Sequence, residues 1–349
     1  MGKVKKFFLS MPFLASIIVV IPSALTLLSY ERVKFQRENV VFDGYDIGGF
    51  GSDFELIGNT RLFRIPSFSK QNNYQGGAFY NNYYCLAANN LEALVIYDMD
   101  SKNLYTIVTP ADENPSYHCN NISFGTTFYS DNDEFPLLYV SMENTEVHYT
   151  NVYRIRRRGS SPYLTKVQTI HFPDFKTSEC HLPNSYIDHK NSLIYYGGYT
   201  EKTYNQTDTN KLRFFCFDIP DAPHDMMTKY ERSACANVFL TISEAKYSPC
   251  ISTSSQTATQ GGFISNGYLY QSYGIHEPFF RVINLDPAVS DDERVKEYDL
   301  GKMNKNNPGS FLIDEFENIG FYDGHIYAYG QQKMSIYEFN YKFNENKNY

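Results

Sequence analysis

Short apolar segments alternate with turns rich in Gly, Asn and Asp through most of this chain, and three of them spell the same hairpin. QGGAFYNNYY (75–84), QGGFISNGYLY (260–270) and ENIGFYDGHIYAY (317–329) each read as strand, tight turn, strand. The turn pairs Asn81-Asn82, Asn266-Gly267 and Asp323-Gly324 are residue types that tolerate the positive φ of two-residue hairpin turns. A third strand follows in five copies: VIYDM (95–99), NVYRI (151–155), FCFDI (215–219), RVINL (281–285) and SIYEF (335–339). The period of two places Tyr97, Tyr153, Phe217, Ile283 and Tyr337 on one face. Their neighbours Asp98, Arg154, Asp218, Asn284 and Glu338 fall on the other, at spacings of 56, 64, 66 and 54 residues. Most copies gain a fourth strand: LYTIV (104–108), KVQTIHF (166–172), NVFLTI (237–242) and VKEYDL (295–300).

A four-stranded antiparallel sheet repeated at a regular interval is the sequence signature of a β-propeller blade. Five third strands predict a five-bladed, all-β propeller; their matching register argues against a sandwich, and no helical period appears beyond the N-terminus. The two middle units carry longer first turns. The last unit has three strands, so TRLFRIP (60–66) is predicted to close the ring by pairing with residues 335–339. The organisation is then a targeting segment at 1–30, a linker at 31–59 that is rich in Gly and Asp over 43–53, the propeller at 60–343, and a polar tail at 344–349.

Composition agrees with a sheet protein: 31 Tyr and 27 Phe against no Trp suit pleated, half-buried surfaces. A net charge of −8 excludes nucleic acid as a partner, since binding it needs a basic face; the run Arg156-Arg157-Arg158 reads as the solvated end of a strand. At the N-terminus Lys3, Lys5 and Lys6 precede an apolar run over 7–28, the arrangement of an export signal. The run is also long enough to span a bilayer, which takes ~20 residues. Pro12 and Pro22 lie inside it, no small-x-small cleavage site stands out, and no Cys follows to accept lipid. Cleavage and retention as an anchor both stay open, with a periplasmic or cell-surface location and membrane contact through this segment only. The six Cys allow Cys119–Cys180 or Cys235–Cys250 bridges, and spacing decides neither.

QGGAFYNNYY, HCNNISFG, EFPLLYVS and NVYRI resemble exported bacterial β-propeller proteins, themselves mostly uncharacterised, over about residues 60–343. The resemblance implies fold and export. Its motifs are structural, so it brings no catalytic residue.

In such a fold the segments entering each inner strand gather at one mouth of the central channel. This chain places Gln75, His118, Asn120, Glu179, His181, Gln260, Glu315 and Glu317 there. Three chemistries compete for them. Metal binding by His118, Cys119, Cys180 and His181 is disfavoured, because adjacent residues of a strand point to opposite faces and neither segment has close ligand spacing. Glycoside hydrolysis needs two converging carboxylates, for which Glu179, Asp314, Glu315 and Glu317 are the candidates. Against it, the first two units offer Gln75 and His118 in place of an acid, and no Trp supplies a sugar platform. Non-covalent recognition of a polar ligand, a glycan or a protein by Gln75, His118, Asn120, Glu179, His181, Gln260 and Glu317 needs neither nucleophile nor cofactor, and it is the expectation carried forward. No Gly-x-Ser-x-Gly, His-Glu-x-x-His or phosphate-cradling loop is present.

Overall fold

A computed structural model describes residues 42, 44–61, 74–110, 118–143, 148–158, 161–174, 181–199, 211–222, 235–253, 259–274, 278–303 and 314–343. Every long element among them is a strand. Hydrogen bonding joins the strands into three four-stranded antiparallel sheets and one nine-stranded sheet, in which two four-stranded antiparallel units meet through a short parallel pairing of their last strands, Thr109 with Tyr163 and Pro110 with Leu164, and one further short strand is added. Unit 1 comprises β2 (Tyr74–Tyr80), β3 (Tyr83–Ala88), β4 (Leu94–Asp98) and β5 (Asn103–Pro110). Unit 2 comprises β6 (His118–Phe124), β7 (Leu138–Glu143), β8 (Tyr149–Arg158) and β9 (Ser161–His171). Unit 3 comprises β10 (His181–Asp188), β11 (Leu193–Tyr199), β12 (Lys211–Asp218) and β14 (Cys250–Ser252). Unit 4 comprises β15 (Thr259–Ser265), β16 (Tyr268–Tyr273), β17 (Phe279–Asn284) and β18 (Val295–Asp299). Unit 5 is β19 (Phe316–Tyr322), β20 (His325–Gly330), β21 (Ser335–Phe343) and, from the other end of the chain, β1 (Gly51–Arg61).

The first strands of the units form a closed circuit, with β2 against β6, then β10, β15 and β19, and β19 against β2 again. The result is a propeller-like, all-β fold. Its turns obey the chemistry read from sequence: Asn81, Asn266 and Asp323 all take positive φ, with Gly267 and Gly324 beside the last two. Tyr97, Tyr153, Phe217, Ile283 and Tyr337 are buried, and Asp98, Arg154, Asp218, Asn284 and Glu338 are not, so the alternation was read in the correct register.

Two assignments shift. The strand that completes unit 5 runs over Gly51–Arg61, not 60–66: Thr60 pairs with Ile336, but so do Asn59 with Tyr337, Leu56 with Phe339 and Phe54 with Tyr341. Most of that strand falls in the segment read as a linker, because its glycines hide a period-two pattern in which Phe54 inserts between Phe280, Tyr298 and Tyr341. Residues 62–66 lie outside the described residues. In unit 3 the segment 237–242 is not the fourth strand. β13 (Ala236–Phe239) instead pairs in parallel with β9 of unit 2, and three residues, Cys250–Ser252, complete unit 3 through Ile251 opposite Leu212. Cys235 and Cys250 are both free thiols; Cys180 lies outside the described residues.

Phe42 and residues 44–50 form a strap across the ring where the inner strands end. Phe42 donates its N–H to Thr126 O of unit 2 at 3.2 Å, and its ring meets Tyr80 of unit 1 and His189 beyond β10 edge-on. Tyr45 donates to Phe79 O at 3.0 Å, and Ile47 N–H donates to Ser265 Oγ at 3.0 Å. Tyr270 and Tyr341, from units 4 and 5, both donate to Gly49 O at 3.1 Å. Gly44 takes φ +83° with His189 only 2.5 Å from where a Cβ would stand, so no other residue fits there. One segment of the chain thus ties all five units together at this end of the ring.

Candidate functional site

The opposite end is built by one device used five times. Just after each inner strand begins, it gains one residue over its hairpin partner, a β-bulge. The shifts fall between Tyr74 and Gly77, Cys119 and Asn121, His181 and Asn184, Thr259 and Gly262, and Phe316 and Asn318. Gln75, Asn120, Gln260 and Glu317, chosen from sequence as mouth residues, are the bulge residues of four units. Bulges re-aim side chains and leave backbone groups unpaired, and here neighbouring units use both consequences.

The residues just past the bulges form an amide layer that the sequence reading missed. Asn318 donates to Gln75 O at 3.2 Å, linking unit 5 to unit 1; Asn184 donates to Gln260 O at 3.2 Å, linking units 3 and 4. Asn121 donates to Ser185 O at 2.8 Å and accepts from Gly262 N at 3.1 Å. Asn120 donates to Thr259 O at 3.3 Å. Units 2 and 4 are not neighbours in the circuit, so Asn120 and Asn121 reach across the channel and fill it. Asn120 therefore acts in the packing of the ring. The signal that could have found this layer was the Asn or Gly recurring at 77, 121, 184, 262 and 318.

Above the layer sits a second polar group. His118 Nε2 lies 3.1 Å from Gln75 Oε1, and Gln260 Nε2 donates to Glu315 Oε1 at 3.0 Å. Glu317 is buried, hydrogen-bonds the Gln75 side chain, and leaves its Oε2 without a partner. Burial first, then the nearby Glu315 and Asp314 carboxylates, raise its pKa well above the ordinary value, and the Gln75 contact offsets this only in part. None of the five inner strands contains Lys or Arg to compensate. Burial also lowers the pKa of His118. Gln75, Gln260, Glu315 and Glu317 are buried, and His118 is the partly exposed member of the group.

The other candidates separate from this group. Asp314 is fully buried and accepts from Tyr337 Oη at 2.8 Å, Gln332 N at 2.7 Å and Glu315 N at 3.0 Å, so it braces the turn between β20 and β21. Cys119 packs into the apolar core with Ile122 and Met142, away from His118. The backbone of His181 pairs with Tyr199; its side chain, Glu179 and Cys180 lie outside the described residues. Among the described residues no group of three or more His, Cys, Asp or Glu is placed to hold a metal, and no helix is long and apolar enough to cross a membrane. The apolar run 7–28 lies outside those residues.

No family model and no curated protein matches the sequence. Among solved structures, the Myxococcus xanthus glutaminyl cyclase is similar at a TM-score of 0.44 and 12% identity, over 83% of this chain and 96% of that one. A chain of apo ctPRC2 in an autoinhibited state is similar at 0.32 and 8%, over 64% of this chain and 40% of that one. Both TM-scores are below 0.5, and neither likeness bears on what this chain does.

Proposed function

We propose that the chain is a five-bladed β-propeller of the cell envelope that binds a polar ligand, a glycan or a protein partner, at the end of the ring where the inner strands begin. The blade count is supported by the closed circuit of five first strands, each followed by its own antiparallel partners, units 1 and 2 being joined at their outer strands β5 and β9. Export rests on Lys3, Lys5 and Lys6 before the apolar run 7–28.

The observation that carries the binding reading is the five-fold bulge. It brings Gln75, His118, Gln260, Glu315 and Glu317 from four separate units into one polar group, held by hydrogen bonds rather than by an activated nucleophile. Glu317 adds an unpaired carboxyl oxygen that a ligand can satisfy, and His118 is the side chain such a ligand meets first. An imidazole backed by amides and by a carboxyl of raised pKa recognises hydroxyl and carbonyl groups by direction.

The second reading is glycoside hydrolysis, favoured by one observation: a carboxyl with a raised pKa is what a general acid requires. Asp314 is occupied by three donors, which leaves Glu315 as the carboxylate beside Glu317 among the described residues. A glycan array probed with residues 38–349 tests both. Retention of a defined glycan class supports binding, release of reducing sugar from it supports hydrolysis, and silence across the array opposes both in favour of a protein-interaction scaffold.

A further inference from the structure

We infer that the strapped end of the ring faces the membrane and that the bulged end faces away from it. The inference rests on the membrane attachment proposed above and adds an orientation to it. Phe42, the first described residue, already lies at the strapped end, in contact with units 1, 2 and 3 around the channel. The apolar run ends at Leu28, so 13 residues, 29–41, connect the two.

Distances decide the orientation. Thirteen residues reach at most about 45 Å when fully drawn out, and about 20 Å when relaxed. An inverted ring would send this tether from the channel axis to the rim and then down the outside. Three strand spacings of ~4.8 Å plus the channel wall make the first leg about 20 Å, and a seven-residue strand makes the second about 23 Å. The sum, about 43 Å, takes up nearly the whole extension of the tether, with no allowance for side chains in its path. With the strapped end toward the bilayer no such path is required.

The consequence is functional. The strap covers the membrane-side end with Phe42, Tyr45 and His189 in mutual edge-on contact and Phe263 edge-on to Tyr45. The end carrying His118 and Gln75 is presented outward, to a partner or ligand approaching from outside the membrane.

Two exposed residues mark the two ends. Ser101 lies in the β4–β5 turn at the strapped end, and Lys333 lies in the β20–β21 turn at the bulged end. The full chain, with Cys180, Cys235 and Cys250 replaced by Ser and S101C or K333C introduced, is labelled with a donor fluorophore. It is then reconstituted into phosphatidylcholine and phosphatidylglycerol vesicles that carry a headgroup acceptor, its circular dichroism having been matched to the unmodified chain. Energy transfer several-fold stronger from residue 101 than from residue 333 is the expected result. Stronger transfer from 333, or equal transfer from both, overturns the orientation while leaving the attachment standing. A chain that fails to float with the vesicles overturns the attachment itself, and the orientation with it.

Discussion

Asn318 of the last unit donates to the carbonyl of Gln75 in the first at 3.2 Å, and its other amide atom accepts from the buried Tyr84 hydroxyl. A Cβ on Gly77 would come within 2.5 Å of that amide, so the glycine is the space Asn318 occupies. Asn318→Ala leaves the Gln75 carbonyl and the Tyr84 hydroxyl buried without partners, each at a cost of about 1–3 kcal/mol. We expect a loss of about 2–5 kcal/mol in urea unfolding, and a loss under 1 kcal/mol would show that the amide does not hold the seam.

Closure of the ring gives a second expectation. β1 pairs with β21 along its length and inserts Phe54 among Phe280, Tyr298 and Tyr341. Phe54→Ala should cost about 3–5 kcal/mol, as for other buried Phe truncations. Removing residues 38–61 from the soluble chain should abolish cooperative thermal unfolding, whereas removing 344–349 should leave the melting temperature within a degree or two of the parent. Comparable behaviour of the two truncations would place the seam elsewhere.

Glu317 gives a pH dependence of definite sign. Its folded pKa lies well above the ordinary 4.5, so from about pH 4.5 upward the folded chain holds a proton that the unfolded chain has released. Stability is therefore lost as pH rises through that window. His118 acts the other way: its folded pKa lies below the ordinary 6.5, so its contribution is lost as pH falls below that value. Glu317→Gln removes the first effect alone. The variant should melt higher than the parent at pH 8 and level with it near pH 4; a constant difference across that range would show that Glu317 does not titrate as its surroundings require.

The repeat was legible because blades are local. Hairpin turns announce themselves through Asn81, Asn266 and Asp323, and third strands through the buried row Tyr97, Tyr153, Phe217, Ile283 and Tyr337. What was missed depends on contacts distant in sequence. β14 has three residues and is a strand only because Leu212 lies opposite Ile251, and 237–242 was drawn off to β9 by parallel pairing. The strap reads as a Gly- and Asp-rich linker because its hydrogen bonds go to residues 34 to 292 positions away. At the bulged end, residue type and position were enough to select Gln75, His118, Gln260 and Glu317. They were not enough to separate these from Asn120, whose amide is consumed across the channel, or from Asp314, whose oxygens brace a turn.

Calorimetric titration of the strongest oligosaccharide from the array into residues 38–349, beside the His118→Ala variant, tests the proposed mouth most directly. His118 is the partly exposed member of the group and lies 3.1 Å from Gln75 Oε1; thermal melts of the two proteins at pH 8 are compared first, so that a loss of affinity is read apart from any loss of fold. We expect affinity to fall about tenfold or more, equivalent to about 1.4 kcal/mol or above. Equal affinity in the two proteins would contradict recognition at the bulged end and place any ligand elsewhere on the ring.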